Sequence, residues 1–180
     1  VWERGAPENP ADRPLYRLPE VLEHVAAGGE VFVVEGEKDV ETLREEGVVA
    51  TTTPFGAGKW LRHHTESLAG AMVVVIADKD DSGLGHALHV AHELRETGST
   101  VEVLRAAIGK DVSDHIGAGL GRSDLAIVPE GVEDDFTRFV ELLDEYDPTL
   151  PESIRFEMAR AALSESSKGD HPDAAAELSG

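Results

Sequence analysis

Two acidic segments in this chain come straight after a short apolar run, and a third lies on the connection that follows another. Glu35-Gly36-Glu37-Lys38-Asp39 follows Val31 to Val34, Asp78-Lys79-Asp80-Asp81-Ser82-Gly83 follows Met72 to Ala77, and Gly109-Lys110-Asp111, then Ser113-Asp114, follows Val101 to Leu104. Carboxylates separated by one residue, as Asp78 and Asp80 are, suit Mg²⁺, which is held by one or two carboxylates together with water and substrate phosphate oxygens. Glu35 is placed to close such a site from a neighbouring strand. Gly36 and Gly83 let the backbone turn sharply beside a ligand. Lys38, Lys79 and Lys110 each stand next to one of these acids and can offset charge on a polyphosphate or a leaving group. Asp39, Asp81, Asp114 and Lys59 are secondary candidates, because an acid at a helix start is also favoured by the helix dipole alone.

The elements that must carry these residues alternate between strand and helix patterns. Strand runs are expected at Val31 to Val34, Val48 to Thr53, Met72 to Ala77 and Val101 to Leu104, with a marginal one at Ile127 and Val128. Helical patterns lie at Val40 to Glu46, Trp60 to Leu68 and Leu84 to Glu96. Runs apolar on both faces, such as Met72-Val73-Val74-Val75-Ile76-Ala77, belong to a parallel sheet covered by helices. The class is α/β with a mostly parallel sheet of four to five strands. In such sheets ligands bind beyond the carboxyl ends of the strands, where the three acidic segments fall.

Around this core the pattern divides the chain further. Residues 1–28 read as a proline-rich linker to about Arg17 and a short helix over Leu18 to Ala27, stopped by Gly28 and Gly29. Residues 29–128 hold the α/β domain. A small helical appendage is expected over 129–167, with Phe136, Phe139, Val140 and Leu143 on one face and Ile154, Met158, Ala161 and Ala162 on the face of a second helix. Residues 168–180 are polar and alanine-rich, and disorder is the expectation there.

Composition narrows the chemistry. With no cysteine among 180 residues, disulfides, cysteine zinc sites and thiol nucleophiles are excluded, and a metal must sit on oxygen or imidazole. No apolar run approaches the roughly 20 residues of a membrane span and no signal-peptide pattern appears, so no membrane partner and a cytoplasmic location are expected. A net charge of −20, from 36 acidic against 16 basic residues, argues against a broad basic nucleic-acid surface. Divalent cations between carboxylates and phosphate still permit metal-dependent chemistry. The chain starts at Val1, compatible with a piece of a longer protein.

The E-G-x-x-D segment at Glu35 to Asp39, the D-x-D at Asp78 to Asp80 and the later K-D at Lys110-Asp111, in that order, resemble the Toprim domain of topoisomerases and primases. The similarity spans about residues 29 to 117, with the Toprim domains of bacterial DnaG-type primases and phage or plasmid primase-helicases as the nearest types. Ala50 to Trp60 is similar to a connection in the phage-like members. The resemblance implies a Rossmann-like Toprim fold, Glu35 as metal ligand or general acid/base, Asp78 and Asp80 on Mg²⁺ (or Mn²⁺), and Asp111 supporting a second metal. It implies nucleic acid, DNA or RNA, and nucleoside triphosphates as partners, in Mg-dependent nucleotidyl transfer of the DNA primase type. A replication protein, helicase or template-binding domain is a further partner it suggests. Non-catalytic interaction or DNA-clamping modules and nucleases also use this fold, and residue types alone do not separate the three.

Other signals carry less. Gly56-Ala57-Gly58-Lys59 has Thr53 in place of the first P-loop glycine and Trp60 in place of Ser or Thr. Asp78 onward opens like a calcium loop but has His89 at the twelfth position. A dehalogenase-like phosphatase also opens on Asp-x-Asp, without a partner for Glu35. His86, His89 and His92, at three-residue steps, fan around a helix and read as solvated; His63 and His64, near Lys59 and Arg62, read as a polar helix face.

Overall fold

A computed structural model of the chain describes residues 13–54 and 59–169. The expected linker up to residue 12, the P-loop-like glycines at 56–58 and the tail from 170 onward lie outside the described residues. The chain divides into two compact units between Val128 and Pro129.

The first unit is a five-stranded sheet in the order β2-β1-β3-β4-β5. Its strands are β1 (Glu30–Val33), β2 (Ala50–Thr51), β3 (Met72–Ala77), β4 (Thr100–Arg105) and β5 (Ala126–Ile127). The first four run parallel, and β5 closes the edge antiparallel, pairing Leu104 with Ile127 and Arg105 with Ala126. The helices are α1 (Leu18–Ala26), α2 (Glu37–Glu45), α3 (Arg62–Ser67), α4 (Asp81–Glu96) and α5 (Val112–Gly117).

Because both sheet faces are covered, alternate residues of one strand enter different cores. Phe32, Val34, Val74, Ile76 and Leu104 pack with Val40 and Leu43 of α2 and Val112 of α5. Val31, Val33, Val73 and Val75 are also buried, while α4 packs on β3 and β4 and α1 on β1. Each such buried aliphatic side chain stabilises the fold by roughly 1.5–3 kcal/mol before chain entropy is counted. Helices end where the chain needs a left-handed residue, as at Gly28 (φ 78°) and Gly98 (φ 80°).

Several expectations are corrected here. The Val48 to Thr53 run contributes only a two-residue strand, although Thr52 and Thr53 stay buried. The glycine-rich connection after β4 contains a full turn of helix, α5, and a 3₁₀ turn at Arg122–Asp124. The end of the expected linker is docked: Leu15 is buried, Tyr16 N–H donates to Thr52 O (2.9 Å), and Thr51 Oγ donates to Tyr16 O (2.7 Å).

The second unit is a pair of helices, α6 (Glu130–Tyr146) and α7 (Glu152–Gly169), packed on each other. Phe136 and Phe156 stack with ring centroids 5.9 Å apart, and Val140 and Ala159 are buried beside them. The apolar faces were assigned differently from sequence. Phe139, Ile154, Met158 and Ala161 are exposed, so the face of α7 that turns inward carries Phe156 and Ala159. Lys168 and Gly169, expected in a disordered tail, lie within α7.

Candidate active site at the strand ends

Glu35 follows β1 and Asp78 follows β3, and these strands are neighbours with Val33 opposite Val75. Parallel pairing therefore delivers the two carboxyls to the same end of the sheet at nearly the same height. Each carboxyl acts on the proton affinity of the other. Thr52 Oγ donates to Glu35 O (2.8 Å) and fixes the backbone that carries the carboxylate. Asp80 caps α4, accepting from Gly83 N–H at 2.8 Å. A Cβ at Gly83 would stand 2.5 Å from Asp78 Cβ and 3.0 Å from its Cα, so glycine is what lets the start of α4 lie against Asp78.

Lys110 brings positive charge to this group, its Nζ lying 3.5 Å from Asp80 Oδ2 and 3.9 Å from Asp78 Oδ2. Asp111 caps α5, accepting from Asp114 N–H at 2.7 Å, and pairs with Lys38 Nζ at 3.2 Å. Asp78, Asp80, Glu35, Asp111, Lys38 and Lys110 thus belong to one connected cluster. Gly36 is the N-cap residue of α2.

The other candidates are placed differently. Lys79 Nζ donates to Ala107 O (2.8 Å) and its N–H to Lys110 O (2.8 Å), so it braces the loop that carries Lys110. Asp114 accepts from Lys110 N–H (2.9 Å) and its Cβ packs against Gly109, leaving no room for a side chain there, while the φ of 79° at Gly109 also favours glycine. Asp39 is buried and bonded to Ser113. Asp81 is the first residue of α4, and Lys59 is exposed ahead of Trp60.

Crowding shows in the proton affinities. Asp78 is pushed up to about 7, by burial first and then by the Glu35 carboxylate. Burial and then Asp80 raise Glu35, with Lys110 opposing. Asp80 is held below the usual carboxylate range by the Gly83 N–H, against the effect of its partial burial, with Lys110 adding to the lowering. Burial works to raise Asp111, but the Asp114 N–H and Lys38 outweigh it and leave it lowered.

The donors are all oxygen, and an ammonium sits against two of them, as suits a hard cation. Among the described residues no three His, Cys, Asp or Glu side chains form a ready-made metal cage. Mg²⁺ does not require one, since it keeps several waters and shares its shell with substrate phosphate. Asp78 and Asp80, one residue apart with Lys110 against both, offer the one or two carboxylates such a partial shell needs.

The histidines are corrected. His64 is fully buried; Leu61 N–H donates to its Nδ1 (3.1 Å), so its Nε2 carries the proton and donates to Arg13 O (3.0 Å). It anchors the segment before α1. His86, His89 and His92 are half-buried on α4, and His89 is pushed down to about 3 by burial and then by its two neighbours. His115, which the sequence reading did not single out, is fully buried and ties Ala107 N–H (3.2 Å) to Gly121 O (3.0 Å). Ser113 and Thr52 were likewise missed; a hydroxyl flanking a motif gives no periodic signal.

No protein-family model and no curated protein sequence matches the chain. Solved structures do. The structure of the DnaG primase catalytic domain bound to ssDNA is 18% identical at a TM-score of 0.55, covering 90% of this chain and 58% of that one. The E. coli primase catalytic core is 20% identical at 0.54, covering 92% and 59%. A DNA primase domain from Pseudomonas aeruginosa is 20% identical at 0.52, covering 92% and 61%. The chain spans about six-tenths of the length of these primase chains. Strand order, strand-end carboxylates and these likenesses agree: the chain has the Toprim-type α/β fold found in DnaG primase catalytic domains.

Proposed function

We propose that residues 29–128 form a Toprim module for Mg²⁺-dependent nucleotidyl transfer on nucleic acid, of the primase or primase-helicase kind. The observation that carries this reading is the meeting of Glu35, Asp78 and Asp80 at the ends of adjacent parallel strands, with Lys110 set against them. Likeness to a primase domain bound to ssDNA supports it. The helical pair would serve as an appendage, and a replication protein, helicase or template-binding domain would be a further partner. No helix among the described residues is long and apolar enough to cross a membrane.

In this reading Asp78 and Asp80 would hold Mg²⁺ or Mn²⁺, with Glu35 as a further ligand or as the base, and Asp111 would support a second ion. The metal supplies charge neutralisation and orientation of the reacting oxygens. A primer hydroxyl attacks the α-phosphorus of a nucleoside triphosphate, the bond to pyrophosphate breaks, and the hydroxyl proton passes to Glu35. Burial raises its proton affinity above the usual carboxylate range, the direction that favours a base. Lys38 and Lys110, both exposed at the rim, meet the leaving phosphate charge.

The net charge of −20 favours a second reading, a non-catalytic protein-binding module. Calorimetric titration of Mg²⁺ and Mn²⁺ separates them, in wild type and in Asp78→Ala/Asp80→Ala, with and without a nucleoside triphosphate. Binding that tightens with nucleotide and vanishes in the double variant supports the enzyme, and product length on a single-stranded template then distinguishes synthesis from cleavage. Equal metal affinity in both proteins transfers the case to the interaction module.

A further inference from the structure

The carboxylate of Asp39 is 6% exposed, yet it makes no capping bond within its own helix, α2. It reaches instead to α5. Ser113 Oγ donates to Asp39 Oδ1 at 2.5 Å and Ser113 N–H to the same oxygen at 3.3 Å, across 74 positions of sequence. Thr42 Oγ, one turn further along α2, lies 3.0 Å from Ser113 Oγ. Asp39 Oδ2 faces Gly36, where a Cβ would come within 3.5 Å.

Ser113 is the second residue of α5, so its N–H is one of the amides that a helix start leaves without an intrahelical partner. Asp111 satisfies Asp114 N–H from within the helix, and Asp39 satisfies Ser113 from a neighbouring one. Both bonds act on the segment that carries Lys110 and Asp111. A buried carboxylate is costly unless its hydrogen bonds are made, so the pair locks α2 and α5 into one register. That register sets Asp111 against Lys38, and Lys110 against Asp78 and Asp80.

We infer that Asp39 is a positioning residue: with Ser113 it clamps the Lys110–Asp111 segment to α2 and so sets the geometry of the strand-end site, without itself taking the metal. The inference rests on the functional reading above only in what the clamp is for; the clamp itself is tested without metal.

Four proteins decide it: wild type, Ser113→Ala, Asp39→Ala and Asp39→Asn, each held well below its own unfolding midpoint. An asparagine keeps an oxygen that accepts both Ser113 bonds, whereas alanine does not. Amide hydrogen exchange over residues 111–115 is expected to rise about tenfold in Ser113→Ala and Asp39→Ala and to stay near wild type in Asp39→Asn. Mn²⁺ affinity, measured by electron paramagnetic resonance with no nucleotide, should fall about 10- to 100-fold in the two alanine variants, the usual effect of losing a group that orients a ligand. In Asp39→Asn it should stay within about threefold of wild type. Asp39→Asn weakening Mn²⁺ as much as Asp39→Ala, with exchange unchanged, would make Asp39 a direct ligand and overturn the inference. Unchanged exchange in Ser113→Ala overturns it too. Wild type failing to bind Mn²⁺ removes the metal reading alone, and the exchange data still decide the clamp.

Discussion

Two groups of titratable side chains in the sheet unit invite comparison, the strand-end carboxylates and the histidine row of α4. Burial strips charge from both: Asp78 is pushed up to about 7 and His89 down to about 3. They differ in how they are assembled. Glu35, Asp78 and Asp80 come from two strands and a helix start, converge on one place, and have Lys110 beside them. His86, His89 and His92 come from one helix at steps that fan them around it, and the neighbours that act on His89 are of its own kind. A cation relieves the first group. Convergence from separate elements, not the number of ionisable residues, separates a candidate site from a helix surface.

The largest effect should come from removing the convergence. Asp78→Ala/Asp80→Ala is expected to lower nucleotidyl transfer by about 10³-fold or more, a loss typical of removing preorganised electrostatic groups. Primer-extension rates at saturating Mg²⁺ check this. A double variant within tenfold of wild type would place the chemistry elsewhere.

The two lysines within the D-x-D and K-D motifs sharpen the comparison. Lys110 touches Asp78 and Asp80, whereas Lys79 is spent on Ala107 O. Lys110→Met should cost about 10²-fold in kcat/KM with triphosphate, and Lys79→Met less than about tenfold. Equal losses would mean that the loop Lys79 braces matters as much as the charge Lys110 brings.

Smaller still, and on stability, is Gly83→Ala. A methyl there meets Asp78 Cβ at 2.5 Å, so the start of α4 must shift. Overpacking of this kind costs about 1–3 kcal/mol, to be read as a shift in urea midpoint at constant m-value. A neutral outcome would show that α4 has room to move away from Asp78.

Much of this was legible from sequence because the physical signals were periodic or local. Met72 to Ala77 is apolar throughout since helices cover both sheet faces, and its strand bounds follow directly. The three acidic segments stood out because each follows such a run. What escaped depends on contacts far apart in sequence. The short α5 lies among glycines, with only one turn of apolar pattern, and its start is secured by Asp39 from another helix. The inward face of α7 was misassigned because Ile154, Met158 and Ala161 share helical spacing as good as that of Phe156 and Ala159; periodicity identifies a face, and only the partner helix decides which one is buried. The docked turn at Leu15 and Tyr16 reads as linker because its bonds go to Thr51 and Thr52.

The gentlest test addresses the histidine row. His89 has its proton affinity depressed from about 6.5 in the unfolded chain to about 3 in the folded one, so between these values the unfolded state binds more protons. Its contribution to stability is therefore complete above about pH 6.5 and is lost as pH falls toward 3. His89→Gln carries no such proton. At pH 7.5 the substitution should cost about 1 kcal/mol for lost packing. Between pH 6.5 and 5 its thermal midpoint should fall less steeply than that of wild type, until the two curves approach or cross. Carboxylates elsewhere titrate equally in both proteins, so the difference between the curves isolates this one side chain. Parallel curves across that interval would mean that His89 charges in place, with the half-buried row open enough to admit water.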